Sequence, residues 1–332
     1  MKVLVTGGGG FLGGAVVRAL VARGDVVRSL SRQTYPELAA QGVEQLQGDL
    51  ADAAAVSRAV QGCEAVFHVA AKPGIWGEYA DYYRTNVTGT ANVIAACLER
   101  GVQRLIYTSS PSVVFDGRDM EGVDESVPYP PHYEAHYPKT KAIAEQAVIA
   151  AHGDRLATVS LRPHLIWGEG DNHLLPRMLA RAKAGQLRRI GRQDKLIDTI
   201  HVDNAAEAHL LAADRLFPGA PISGKVYFIS QGEPVPMWTM VNRLLQAAGA
   251  PQVTRAVPVS LALGLAVAFE TVHRLVGSGS EPRLTRFLVR ELATAHWFDI
   301  SAARRDLGYV PRVSIDQGIE RLRASYQRTG SS

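Results

Sequence analysis

Apolar positions cluster in short runs that alternate with helix-spaced segments over the first half of the chain. Lys2-Val3-Leu4-Val5 reads as a strand, and Ala15-Val16-Val17-Arg18-Ala19-Leu20-Val21 as a helix that stops at Arg23-Gly24. Val26 to Leu30 is the next strand, two more end before Asp49-Leu50 and Val69-Ala70-Ala71, and Arg104 to Ser110 is a fifth. This alternation runs to about residue 165. It predicts an α/β fold with a doubly wound parallel sheet and right-handed crossovers. Beyond it the pattern changes: short elements such as Lys225 to Ile229 interleave with helices such as Trp238 to Ala248.

The first strand and helix are joined by Thr6-Gly7-Gly8-Gly9-Gly10-Phe11-Leu12-Gly13. The glycines that matter are three apart. Gly7 suits a tight turn, Gly10 a close approach of backbone to a pyrophosphate, and Gly13 close packing of the helix, whose N-terminus with Phe11 and Leu12 receives the phosphates. This context predicts a Rossmann-type dinucleotide core over residues 1–165, with 196–230 returning to it. Residues 166–195 and 231–326 are then the smaller substrate-binding part.

The second strand ends in Ser31-Arg32 rather than an acidic residue. A hydroxyl beside a guanidinium suits a ribose 2′-phosphate, which favours NADP(H) over NAD(H). Asp49 and Leu50, with Ala70, Ala71 and Lys72, fall where the adenine and the ribose-pyrophosphate edge rest. Asp49 is equally placed to cap the helix starting near Asp52.

Tyr137-Pro138-Lys139-Thr140-Lys141 lies in a helical pattern, so Tyr137 and Lys141 share a face. An ammonium about 4 Å from a phenolate is worth up to ~4 kcal/mol at an effective dielectric of 20, which predicts a lowered tyrosine pKa. Of eleven tyrosines, only Tyr137 has a lysine four residues later. Ser109, Ser110 and Ser112 fall at the carboxyl end of the fifth strand, where ligands of open parallel sheets bind. We expect Ser110 to donate to a carbonyl oxygen as charge builds on it, with Ser112 near the substrate. The alternative is a simple turn before Pro111.

With these motifs, and with Gly48-Asp49-Leu50, His68 to Ala71, Asn86 to Thr90, Leu161-Arg162-Pro163 and His201 to Ala206, the chain resembles the extended short-chain dehydrogenase/reductases over nearly its whole length. It is most similar to their 3β-hydroxysteroid dehydrogenase-like branch. That resemblance implies Ser110, Tyr137 and Lys141 as the catalytic set, Asn86 as a residue that orders the site, Pro163 beside the nicotinamide, and a homodimer. Tyr35 to Gln45, Ala71-Lys72-Pro73-Gly74-Ile75-Trp76-Gly77 and Leu161 to Gly168 further resemble the 2-alkyl-3-oxoalkanoate reductases of bacterial long-chain olefin biosynthesis. The resemblance implies NADPH-dependent reduction of a 3-keto acid bearing long alkyl chains, beside a β-lactone synthetase and a hydrolase. A 3β-hydroxysteroid or sterol dehydrogenase is the competing enzyme. A nucleotide-sugar epimerase fits less well without an acidic residue at Ser31, and a non-catalytic NADP-binding redox sensor fits less well with the catalytic set intact.

Bulk properties narrow the partners. The net charge is +4 and charged residues make up 20%, with no basic tail of the kind that binds nucleic acid. Cys63 and Cys97 have no metal-ligand spacing and read as core. The first strand begins at once, so no signal peptide is expected and the cytoplasm is the default. Val259 to Phe269 is apolar but too short to span a bilayer; core, a lid over an apolar substrate, and peripheral membrane contact are all open. Leu263 and Phe269 are its substrate candidates. Glu270, His273 and Arg274 come next on one helical face, and Gly277 to Ser280 reads as a connector. His164 is a further substrate candidate, against the commoner role of satisfying local hydrogen bonds. The basic run Arg188, Arg189, Arg192 and Lys195 is either an anion site or a solvated face.

Overall fold

The computed structural model describes residues 1–277 and 279–330, so Ser278 of the expected connector lies outside the described residues. Seven strands, β1 (Lys2–Thr6), β2 (Val26–Ser31), β3 (Glu44–Gln47), β4 (Ala65–His68), β5 (Arg104–Thr108), β6 (Ala157–Pro163) and β7 (Lys225–Ile229), form one sheet. Their order is β3-β2-β1-β4-β5-β6-β7, and every neighbouring pair is parallel. Chain order reverses between β1 and β4, which opens a crevice at their carboxyl ends.

Helices cover both faces, which is why the strands read as apolar runs instead of alternating. Val3, Val5, Phe67 and Ile106 pack toward Val16, Leu20 and the helix Val202–Arg215. Leu4, Val66 and Leu105 pack on the other face toward Val56, Val93 and Val148. Asp52 caps the helix Ala53–Val60, accepting from the amides of Ala54 and Ala55. Asp49 is therefore not the cap; it accepts from the Ala51 amide and pairs with Arg84 at 2.9 Å. The helix Val202–Arg215 is capped by the His201 side chain, with Asp203 inside its first turn.

The smaller sheet orders Val235–Pro236, Leu196–Ile197, His296–Phe298 and Met120–Val123. Its neighbouring core holds Trp167, Trp238, Leu245, Val289 and Leu322. Two pieces fall across the expected boundaries: Met120–Val123 leaves the first 165 residues for this sheet, and Leu196–Ile197 joins it too. Strands of two to four residues are too short for period-two patterning to place them. The apolar segment forms one helix, Val259–Leu275, that buries only Ala262, Ala266 and Glu270. It is not core.

The helix His136–Ala150, which carries Tyr137 and Lys141, is fastened to β6 by one buried ion pair. Arg162 Nε donates to Glu145 Oε2 at 3.0 Å and Nη2 to Oε1 at 2.6 Å, while Tyr129 donates to the same carboxylate at 2.6 Å. The guanidinium lies over the rings of Tyr129 and Phe228. Removing one partner strands the other charge in the interior, so Glu145→Ala is expected to lower stability by about 3–5 kcal/mol in urea unfolding. Replacing both, as Glu145→Leu with Arg162→Met, should recover most of it; a double variant as unstable as the single one would show that the pair is not what holds the helix.

Candidate active site

Gly7 has φ 73°, a left-handed turn, and a Cβ there would lie 3.0 Å from Ala70 at the end of β4. Gly13 packs so closely that a Cβ would sit 2.0 Å from the Gly7 carbonyl oxygen. These two glycines bring strand end, helix start and the Ala70 loop together at the crevice. Gly10 begins the helix Phe11–Ala22 without any side-chain cap, and no acidic residue lies in its first turn. The free amides there can hold an anion.

At the end of β2 the Ser31 hydroxyl is buried with no partner among the described residues. Arg32 is exposed, and its guanidinium makes no ion pair or hydrogen bond among the described residues. An orphaned hydroxyl beside an unpaired cation suits a phosphate. A cradle that a Cβ would fill, uncapped amides and this pair together fit a dinucleotide.

A polar chain braces the crevice. His68 Nδ1 meets Thr6 Oγ1 at 2.8 Å and its Nε2 meets Thr90 Oγ1 at 2.9 Å; Thr90 donates to the Asn86 carbonyl at 2.6 Å. Burial, with the Lys141 charge behind it, pushes His68 down to about 3, so the ring is neutral. Asn86 accepts from the Lys72 amide at 2.7 Å and donates to Thr140 at 3.0 Å, tying the β4 loop to the Tyr137 helix. The Lys72 side chain points away from the crevice, pairing with Asp81 at 3.1 Å and lining a separate cleft.

Ser110 lies just past β5 and starts the turn Pro111–Val114, its hydroxyl 2.9 Å from that of Ser112. The Ser110 hydroxyl acts on the Tyr137 phenol, favouring its ionised form. Serine and tyrosine are thus neighbours at the carboxyl end of the sheet. Contrary to expectation, the phenol is not lowered: burial pushes it up to about 12, Ser110 pulls it partly down, and the Glu291 charge pushes it up again. Lys141 donates to the Thr108 carbonyl at 2.6 Å and lies 4.1 Å from the Tyr107 ring centre. Burial brings it down to about 7, opposed by Glu145 one turn away.

The cleft, of about 480 Å³, opens between the Lys72–Asp81 region, Glu134 to His136 just before Tyr137 in the chain, and the helices Val259–Leu275 and Arg286–Ala293. Glu270, His273 and Arg274 line it, whereas Leu263 and Phe269 do not. Leu263 instead packs against the second core. His164 is no open contact either: Nδ1 meets Asp198 at 2.6 Å and Nε2 meets His296 at 3.1 Å. Leu165, at φ 43°, turns the chain sharply just after it. The basic run disperses, with Lys195 paired to Asp119 at 2.6 Å.

Glu291 escaped sequence reasoning. It shares a helical face with Phe287, a cleft residue, and burial raises its carboxyl to about 7 beside Tyr137. A glutamate in an amphipathic helix carries no signal that its charge acts on a tyrosine some 150 residues earlier.

Because folded Lys141 sits near 7 and an unfolded lysine near 10.5, the native state binds fewer protons between those values, and stability rises with pH across that window. The cost of burying the charge is complete below pH 7. Lys141→Met is therefore expected to raise Tm more at pH 6 than at pH 9.5 while lowering activity; a shift of equal size at both pH values would contradict the buried-charge assignment.

Comparison with known proteins places this geometry. The chain is 52% identical over 327 residues to the 2-alkyl-3-oxoalkanoate reductase of Stenotrophomonas maltophilia (strain K279a), covering 98% of this chain and 99% of that protein. It is 49% identical to the 2-alkyl-3-oxoalkanoate reductase of Shewanella oneidensis over 329 residues, 97% of this chain and 85% of that one. Among solved structures, MoeE5 in complex with UDP-glucose and NAD superposes with a TM-score of 0.75 at 24% identity, covering 99% of each chain, which shows the fold. Residues 4–260 match the 3-beta hydroxysteroid dehydrogenase/isomerase family, so the chain is an oxidoreductase that belongs to that family of extended short-chain dehydrogenase/reductases.

Proposed function

We propose that this protein is an NADP(H)-dependent reductase that converts a 2-alkyl-3-oxoalkanoic acid to the 2-alkyl-3-hydroxyalkanoic acid. The observation that carries the chemistry is the placement of Ser110 beside Tyr137, with Lys141 one helical turn further along the same helix. The substrate class comes from about 50% identity to 2-alkyl-3-oxoalkanoate reductases over nearly the whole chain. A β-lactone synthetase and a hydrolase would then work beside it.

The crevice residues Gly7, Gly10, Phe11, Leu12 and Gly13 would hold the dinucleotide pyrophosphate, Leu50, Ala70 and Ala71 would border its adenosine side, and Pro163 the nicotinamide. Ser31 and Arg32 support the 2′-phosphate, and hence NADP(H), because the pair is otherwise unsatisfied. Bound there, the nicotinamide supplies a hydride to the carbonyl carbon. Ser110 holds the carbonyl oxygen by hydrogen bonding, and Tyr137 gives that oxygen its proton. A phenol pushed up to about 12 keeps its proton at neutral pH, which is the form reduction needs. Lys141 lies one helical turn from Tyr137, and a positive charge on it would favour the negative charge left on the phenol. Asn86 holds the Lys72 backbone and Thr140 so that loop and helix keep their spacing.

Tyr137→Phe is expected to bind cofactor normally and lose roughly 10²–10⁴-fold in turnover of NADPH with a long-chain 2-alkyl-3-keto acid. Unchanged turnover would remove Tyr137 from the chemistry, and faster reaction with a 3-ketosteroid would move the substrate class. Arg32→Ala should raise the Kd for NADPH by roughly 10- to 100-fold and leave that for NADH nearly unchanged. Equal losses would put the 2′-phosphate elsewhere.

A further inference from the structure

Away from the phenol and the dinucleotide crevice, segments far apart in sequence meet at one buried row of titratable groups. His164 directly follows β6, Asp198 follows the strand Leu196–Ile197, and His296 opens the strand His296–Phe298. All three are at least nine-tenths buried. Asp198 meets His164 Nδ1 at 2.6 Å through Oδ1 and accepts from the Phe298 amide at 2.9 Å through Oδ2. His164 Nε2 meets His296 Nδ1 at 3.1 Å, and His296 Nε2 meets the Glu291 carbonyl oxygen at 2.9 Å.

Counting hydrogens fixes the protonation of this row. A backbone carbonyl only accepts, so His296 Nε2 carries a hydrogen, and the carboxylate at the other end is an acceptor too. Three hydrogen bonds in line between two acceptors need three hydrogens, whereas two neutral imidazoles supply two. The row therefore holds one additional proton. Without it two lone pairs would face each other, either between the rings or at the carboxylate, and burial makes such a contact costly. Burial and the charge on His164 push His296 down to about 3, which leaves the additional proton on His164 beside Asp198.

The surroundings offer no substitute for Asp198. The rings of His296 and Phe298 stand edge-on to His164 at 4.9 and 5.1 Å, and Phe115 stands edge-on to His296. Asp119, whose charge acts on His296, is held by Lys195 and by the Ala295 amide. Tyr309, which feels the Asp198 charge, is raised by burial and donates to the Ser230 carbonyl as a neutral phenol.

The row runs from the end of β6 to the last turn of the helix Arg286–Ala293. That helix supplies Phe287 to the cleft wall and carries the Glu291 charge that acts on Tyr137. β6 ends in Pro163, the residue assigned to the nicotinamide.

We propose that one additional proton, held on His164 between Asp198 and His296, fastens the cleft wall to the end of β6 and makes these three positioning residues for the keto acid. The role toward the keto acid rests on the reductase reading; the proton does not.

Asp198→Asn is the discriminating variant. Its side-chain oxygen can take the Phe298 amide and its nitrogen can donate to His164 Nδ1, so the same row closes with two neutral imidazoles. Long-range proton–nitrogen NMR of histidine-labelled protein at pH 7, assigned with His164→Gln and His296→Gln, reads the ring nitrogens directly. Three of the four on His164 and His296 should be protonated in the parent and two in Asp198→Asn. The KM for a long-chain 2-alkyl-3-keto acid should rise about tenfold or more in Asp198→Ala and His296→Ala, with a smaller change in kcat and an unchanged Kd for NADPH. Asp198→Asn should restore the parent KM. Two protonated nitrogens in the parent overturn the proposal. So does a parent-like KM in Asp198→Ala, or an Asp198→Asn as impaired as Asp198→Ala. The expected nitrogen pattern without turnover of any keto acid would keep the proton and refute the reductase reading.

Discussion

The Glu145–Arg162 pair is the interaction on which the site depends. Tyr137, Lys141 and Glu145 are spaced four residues apart along one helical face, so fixing Glu145 to β6 fixes the rotation of the helix and the direction of the other two side chains. Neither charge reaches water, and Tyr129 completes the carboxylate's hydrogen bonding. Such a pair contributes little net stability compared with an apolar substitute, but its geometry admits only one register. The proposed roles of the phenol and the ammonium would benefit from that restriction.

The same helix explains the electrostatics. Lys141 is buried against a carbonyl and an aromatic face, with no carboxylate in direct contact, and so sits near 7. Tyr137 is buried beside a serine and shifts the other way. Burial thus moves the two toward neutrality at working pH. The pairing of Tyr137 with Lys141 expected from their spacing is a shared face, and the ammonium's resting contact is with the Thr108 carbonyl. Glu291 adds a second group near 7, beside Lys141, from the smaller part of the molecule, so both parts of the chain contribute charge around the phenol.

Polarity is divided between the two surfaces of the cleft region. Its walls carry Lys72, Glu78, Asp81, Glu134, His273 and Arg274, charges of both signs. The apolar character that a long-chain substrate requires is displayed on the outside of the Val259–Leu275 helix. Leu263 and Phe269, the substrate candidates of this segment, do not line the cleft, whereas Glu270, His273 and Arg274 of the same helix do.

Local chemistry made much of the protein readable in advance. Glycine at positions where a Cβ would meet backbone, strand-length apolar runs, and a tyrosine and lysine four apart are constraints within a few residues of one another, and they are enough to give the sheet, the dinucleotide crevice and the Tyr137–Lys141 face. What only the tertiary structure decided depends on partners distant in sequence. His164 finds Asp198 and His296, Glu291 finds Tyr137, Met120–Val123 finds His296–Phe298, and Val259–Leu275 is left with one face uncovered. No spacing rule contains those meetings, because a side chain's burial and its proton affinity are properties of what packs against it.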